Sequence, residues 1–313
     1  METKAPLIPM EDFMRNPEKS SFQISPNGNY VAFMKPWKTR MNVFVMNMNT
    51  NKEERLTSSE ARGIYGFTWL TDNRIGYIKD DGGNENMHFY AVNIDGTNEM
   101  DLTPFENIQA RIIDDLEDDQ NHVIIGLNKR NPQIHDPYRV NINDGTMEMI
   151  AENPGNISGW GTDHNGKLRI ATTSDGVNTS LLYRDKESDK FKPILTTDFK
   201  VSVAPLFFTF YNKNLFFASN RGRDKTAIFE FDVNESKEGK LIFEHDEVDV
   251  SGLMYSKKRK VLTGVNYTVA KRDVEFFDSW RESIQEKLEK KLPGYEVGIT
   301  SFSKDETKAV VVT

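Results

Sequence analysis

Residues able to do chemistry are thinly spread along the chain. His88, His122, His135, His164 and His245 are the five histidines of the 313 residues. Their wide, irregular separation matches no metal-ligand spacing, and only convergence in three dimensions could join them. Glu244-His-Asp-Glu247 reads either as a cation site or as a solvated turn. Asp114-Asp-Leu-Glu-Asp-Asp119 reads as the flanks and turn of a hairpin or as a calcium loop, although an EF-hand would need a different ligand register. Ile157-Ser-Gly-Trp-Gly161 approaches the Gly-x-Ser-x-Gly elbow of hydrolases but lacks the glycine before the serine. Neither Gly-x4-Gly-Lys-Ser/Thr nor Gly-x-Gly-x-x-Gly occurs. The chain has no cysteine, which removes thiols and disulfides from consideration without fixing the compartment. No catalytic set, metal or cofactor is expected from these residues alone.

What would position such residues is a repeat. Ser21-Phe-Gln-Ile-Ser-Pro-Asn-Gly-Asn-Tyr-Val-Ala-Phe33 alternates apolar positions, turns on Ser, Pro, Asn and Gly, and resumes with a second apolar run, the pattern of a tight antiparallel hairpin. The phrase returns with its second strand marked by Val31, Ile75, Val123, Leu168, Leu215, Val261 and Ala309. The markers are separated by about 44 to 48 residues, the period of a four-stranded propeller blade. The expected fold is therefore all-β, a seven-bladed β-propeller of four-stranded antiparallel blades. Residues 1–20, broken by Pro6, Pro9 and Pro17, form an arm with at most one helical turn at Met10 to Met14. Blades are expected at about 21–62, 63–108, 109–156, 157–200, 201–248 and 249–297, with a partial one at 298–313.

Composition narrows the functional classes. Net charge is −8 and the pI is near 5.3. Both disfavour nucleic acid and anionic membranes as partners, since either needs a clustered basic field. No apolar run approaches the ~18 residues of a membrane span. Met-Glu-Thr-Lys at the start has neither the basic nor the apolar region of a signal peptide. The Phe-rich strands around Phe207-Phe208, Phe216-Phe217 and Phe229 to Phe231 fit packing between neighbouring sheets, as do Trp69 and Trp160.

Two segments break the repeat. From Val274 to Leu292, Phe277, Trp280, Ile284, Leu288 and Leu292 fall at helical spacing and Pro293-Gly294 supplies a stop. This predicts an amphipathic helix over about 274–292, packed on the propeller rim or facing a second domain or partner. The last blade offers two strands and stops inside the apolar run Ala309 to Val312. Such an open edge invites association. It leads to the expectation of a cut chain that frays or self-associates as a homo-oligomer.

The opening Ile8-Pro-Met-Glu-Asp-Phe-Met-Arg-Asn-Pro17 followed by Phe22 to Gly28 resembles the start of bacterial prolyl-oligopeptidase-family serine peptidases, in their acylaminoacyl-peptidase and dipeptidyl-peptidase-like branch. Lys79 to Asn86, Asn128 to Pro132 with Asp136-Pro-Tyr138, and Ser219 to Asp224 extend the resemblance over essentially the whole chain. Each motif is weak alone; their order is more specific. The resemblance implies a propeller that covers an α/β-hydrolase domain with a Ser-Asp-His triad beyond Thr313, and that admits only peptides able to reach the enclosed site. It also implies a periplasmic or secreted parent whose export signal has been removed, with a cytoplasmic one left open. On that footing the loops between second and third strands, which gather on one face, would anchor peptide: Glu85 for an amino terminus, and Asn86, Arg130, Arg221 and Arg223 for carbonyls. Against this, Asp81-Gly-Gly83 is a tight turn with Glu85 solvated, and Arg130 and Arg223 can pair with Asp136 and Asp224. Two other readings stay open: a stand-alone binding propeller of the periplasmic translocation-protein type, and a propeller glycosidase or lyase using acids near the axis, for which first strands offer Asp114 and Asp115.

Overall fold

In the first hairpin, Ser25 Oγ accepts the Tyr30 N–H at 3.0 Å, Asn27 Oδ1 accepts the Asn29 N–H at 2.9 Å, and Gly28 takes φ +69°. Short polar side chains hold the turn and glycine supplies its left-handed residue. Comparable Asx contacts recur at Asn47, Asp95, Asn141 and Asp163. The punctuation seen in the sequence is thus a set of side-chain-to-backbone bonds.

The structure, a computed structural model, describes residues 7–313. Of the arm expected over 1–20, residues 1–6 lie outside the described residues; α1 (Met10–Met14) is a single exposed turn. The chain divides into two compact units, Met1–Asp101 with Ile299–Val310, and Leu102–Gly298 with Val311–Thr313.

Unit 1 contains the sheet β1 (Ser20–Ile24), β2 (Tyr30–Trp37), β3 (Arg40–Asn47) and β4 (Glu53–Arg55), and the sheet β5 (Gly66–Thr71), β6 (Arg74–Asp80), β7 (Met87–Asn93) and β8 (Met100–Asp101). Val43, Val45, Phe67, Trp69, Ile75 and Tyr77 join in one buried cluster between them. Trp69 Nε1 donates to the Gln23 carbonyl at 3.3 Å, so this tryptophan is a core residue.

Unit 2 carries four further sheets in chain order. They are β9 (Ala110–Asp114) to β12 (Met147–Met149) through β10 (His122–Asn131) and β11 (Ile134–Asn141); β13 (Ile157–Thr162) to β16 (Lys192–Asp198) through β14 (Leu168–Ser174) and β15 (Asn178–Tyr183); β17 (Val203–Phe208) to β20 (Lys237–Phe243) through β18 (Leu215–Ser219) and β19 (Ala227–Asp232); and the three-stranded β21 (Val250–Ser256), β22 (Val261–Thr268) and β23 (Arg272–Phe276). The strand period of two splits the phenylalanine pairs. Phe208, Phe217, Phe229 and Phe231 enter a core with Ile170 and Leu181, while Phe207 turns to the other face, where its ring centroid lies 4.2 Å from that of Tyr255.

The last two strands, β24 (Gly298–Phe302) and β25 (Ala309–Val312), form a two-stranded sheet. Within unit 1 it returns to the first hairpin: Ser301 Oγ accepts the Ile24 N–H at 3.2 Å, the Lys304 N–H donates to the Pro26 carbonyl at 2.8 Å, and Lys308 Nζ donates to the Gly28 carbonyl at 2.8 Å.

The fold is an all-β propeller of small antiparallel sheets with two helices. The seven marker residues each fall at the first or second position of the second strand of a sheet. Two expectations need correction. Val274 lies in β23, paired with Asn266, so the helix α2 (Ser279–Lys291) starts later than 274. The reason is capping: Asp278 accepts the Arg281 N–H at 3.1 Å and its carbonyl accepts the Glu282 N–H at 3.0 Å. Four strands were expected in this blade, but among the described residues its sheet has three and α2 follows. The apolar stripe is not buried either. Phe277 and Trp280 are 40% and 39% exposed, and the buried helix residue is Arg281.

Candidate functional site

The residues singled out in the second-to-third-strand loops occupy separate hairpins. Glu85, in unit 1, is exposed at φ +60°, and its N–H donates to the buried Asp80 carboxylate at 3.3 Å. The Asn86 N–H donates to Asn84 Oδ1 at 2.9 Å. In unit 2, Arg130 forks onto Asp136 at 3.0 and 3.1 Å and reaches the Asn153 carbonyl at 2.7 Å. Asp136 is fully buried and also accepts the Asn153 N–H at 2.7 Å. That guanidinium is therefore spent on the fold. Arg223 pairs with Glu244 at 3.0 Å, not with Asp224, and lies over the Phe229 ring. Arg221 is exposed, its backbone N–H held by Ser219 Oγ at 3.0 Å.

A cavity lies within unit 2, at the opposite end of those sheets, where first strands turn into second strands. Its volume is about 720 Å³. Pairing fixes the location: Asp114 opposes Ile124 and Ala110 opposes Leu127 in the β9–β10 ladder, so the turn following Asp114 lies far from the Asn131–Ile134 hairpin that carries Arg130. Asp114, Thr162 and Phe208 each end a first strand.

Local bonds set the shape. The Thr162 hydroxyl donates to Asp114 Oδ2, and Asp114 Oδ1 accepts the Leu116 N–H at 2.8 Å. In the facing turn Asp163 accepts N–H groups from Asn165 and Lys167 at 2.9 and 3.1 Å. Gly166, at φ +69°, comes so close that a Cβ there would stand 2.6 Å from Leu116 Cδ2. Glycine meets both the dihedral and the approach without strain. Below, the buried Arg169 binds Asp163 at 3.1 Å and the Asn212 carbonyl at 2.9 Å, and lies over the Phe208 ring. His164 Nε2 is 2.8 Å from the Phe208 carbonyl.

The rim is acidic. Lys257 sits 3.0 Å from both Glu117 and Asp118. Burial alone would lower its pKa, but the two carboxylates outweigh that and hold it above the ordinary lysine value. His122 Nδ1 lies 2.9 Å from Asp119. Burial pushes the Tyr255 hydroxyl up; Lys257 opposes this, while Glu117, Asp114 and Asp115 add to it. Carboxylate acceptors and ring faces together can hold a positively charged group. Among the described residues no group of three or more His, Asp and Glu stands close enough to hold a metal ion. No helix among them is long and apolar enough to cross a membrane.

Sequence reasoning read Asp114 to Asp119 as hairpin flanks and turn and Trp160 as packing, and it missed the cavity these residues share. A signal was present: the first strands end at Asp114, Thr162, Phe208 and Ser256, in step with the repeat.

No family model matches the chain. Over 311 residues it is 28% identical to dipeptidyl aminopeptidase BIII of Pseudoxanthomonas mexicana, covering 97% of this chain and 45% of that protein. It spans less than half the length of the curated relatives that it matches along nearly all of its own. Among solved structures, a prolyl endopeptidase superposes with a TM-score of 0.62 at 9% identity, covering 83% of this chain and 41% of that one. The Pyrococcus horikoshii acylaminoacyl peptidase superposes with a TM-score of 0.52 at 14% identity, covering 91% and 48%. At these identities the superpositions speak for the fold, and the sequence match for the relationship. The chain is a β-propeller, similar in sequence to less than half of a dipeptidyl aminopeptidase and in fold to part of a solved prolyl endopeptidase.

Proposed function

We propose that this chain is the seven-bladed propeller of a serine exopeptidase or oligopeptidase, non-catalytic by itself, which screens peptides before they reach a Ser-Asp-His hydrolase domain encoded beyond Thr313. One observation carries this: a relative named as a dipeptidyl aminopeptidase matches 97% of the chain yet extends to more than twice its length. A propeller placed over an active site acts by exclusion, with a few polar anchors on its loops. Glu85 and Arg221 suit that role best, because both are exposed, whereas Arg130 and Arg223 are already held by Asp136 and Glu244. On this proposal the parent works in the periplasm or outside the cell, with the cytoplasm as the alternative, and its partners are its peptide substrate and its own hydrolase domain.

The test compares the 313-residue chain with the same chain extended by the remainder of its parent, on chromogenic dipeptide and acyl-amino-acid substrates. The extended protein is expected to turn over and the short chain not to. Turnover by the short chain would overturn the proposal, and so would a stop codon directly after Thr313, which would leave a stand-alone binding propeller. In the extended enzyme Glu85→Gln and Arg221→Ala should raise KM with kcat little changed, as expected for lost uniform binding.

A further inference from the structure

We propose that the cavity at the first-to-second-strand turns of unit 2 is a binding site for a positively charged peptide side chain, with arginine preferred to lysine. This goes beyond the gating role and does not rest on it, since binding needs only the residues of unit 2.

Size comes first. A cavity of about 720 Å³ falls within the range of ligand clefts, roughly 300–1,000 Å³. It is far larger than a packing defect. Charge is the second observation. Six carboxylates line the cavity against three cations, and one of the six, Asp163, is already paired with the buried Arg169. Two of those cations, Arg139 and Lys167, face Glu187 outside the lining, at 3.1 and 3.6 Å. Lys257 is left between Glu117 and Asp118. The lining therefore carries excess negative charge around a concave, partly desolvated space, where an added cation gains more than it would in open water.

The third observation is the aromatic wall. Elsewhere in unit 2 the rings that meet charge have a cation of the chain over them: Arg169 over Phe208 at 4.7 Å, Arg223 over Phe229 at 4.4 Å, and Arg259 over Trp280 at 4.4 Å. Trp160, Phe207 and Tyr255 line the cavity. They meet other rings, Trp160 with Phe191 at 5.7 Å and Phe207 with Tyr255 at 4.2 Å. Among the described residues no cation of the chain lies over any of these three. Acidic groups beside ring faces without a cation are the complement of a planar guanidinium, which stacks on a ring and forks onto a carboxylate at once. Lysine offers only a point charge and should bind less well.

The probe is acetyl-Gly-Arg-Gly-amide, whose blocked ends leave the side chain as its sole charge. Its comparison is the same peptide with citrulline, which keeps shape and loses charge. Titration calorimetry and the Trp160 indole proton in two-dimensional NMR read binding to the 313-residue chain. The arginine peptide is expected to bind at least about tenfold more tightly than the citrulline peptide, a difference of about 1.4 kcal/mol, with the lysine peptide between them and affinity falling as salt rises. Asp115→Asn and Tyr255→Phe, both mild changes, should weaken and retain binding respectively, while Tyr255→Leu should weaken it. Asp175→Asn, on the exposed β14–β15 turn, should have no effect. Equal affinity for arginine and citrulline would overturn the proposal. So would no binding by the unmutated chain at about ten times the millimolar range of weak ligands, or shifts confined to the Arg130 and Arg221 loops. These outcomes are independent of whether a hydrolase domain follows.

Discussion

The four sheets of unit 2 end differently at their two ends. Where second strands turn into third strands, two of the arginines are consumed internally, while Arg221 stays exposed. Arg130 is locked between Asp136 and the Asn153 carbonyl, and Arg223 between Glu244 and a phenylalanine ring. Where first strands turn into second strands, one buried pair, Asp163 with Arg169, is sealed beneath the surface, but the rim above it keeps more carboxylates than its cations neutralise. A buried ion deprived of its partner is costly, so the closed pairs belong to stability. Part-exposed carboxylates keep contact with solvent. The same residue types thus do different work according to how deeply the fold buries them.

Breaking the closed pairs should show the difference most strongly. Arg169→Met leaves Asp163, whose side chain is 5% exposed, without its cation, and should cost about 3–5 kcal/mol in urea unfolding. A loss below about 1 kcal/mol would mean that water reaches the pair. Arg130→Met should destabilise less, because its guanidinium is partly solvated and Asp136 keeps the Asn153 N–H; the urea midpoint should still fall.

Next comes pH. Burial raises the Glu187 pKa, but the Leu168 N–H, Arg139 and Lys167 outweigh it and hold the carboxyl below its ordinary 4.5. A depressed folded pKa gives stability that is present above the unfolded value and lost as pH falls through the folded one. Stability should therefore decline below about pH 4.5, and Glu187→Gln should flatten that decline. The smallest effect is expected at the open rim. Asp115→Asn should change stability by no more than about 0.5 kcal/mol, and a larger loss would place Asp115 with the closed pairs and erase the contrast between the ends. In the exposed β14–β15 turn, the Asn178 backbone, the Asn178 side chain and the Val177 N–H hold Asp175 at about 2. A carboxyl-carbon NMR titration of this residue, which lies at the second-to-third-strand end of its sheet, should find it near that value.

Much of the fold was legible because hairpins are local. A turn such as Ser25 to Gly28 needs only its own side chains and one left-handed residue, so residue types and spacing reveal it. The helix after β23 was legible in kind but not in extent. Val274 and Phe276 satisfy strand alternation as well as helical spacing, and only pairing with β22 decides between them. The candidate site was less legible. Arg130 and Arg223 carried the chemistry of anchors; the capture of Arg130 by Asp136, six residues on, was legible from spacing, whereas that of Arg223 was not. Glu244, which holds Arg223, lies 21 residues away in sequence. The cavity residues were visible only as an acidic hairpin and a set of aromatic strands.

The sequence by itself determined the repeat, the hairpins and the apolar faces, since each depends on neighbours within a few residues or on a period of two. Only the tertiary structure decided which face of each phenylalanine pair entered the core, which arginines were neutralised, and that Asp114, Trp160, Phe207 and Tyr255, drawn from four different sheets, border one space. The physical reason is that burial and Coulomb energy depend on distances between strands far apart in the chain, and sequence spacing does not encode those distances.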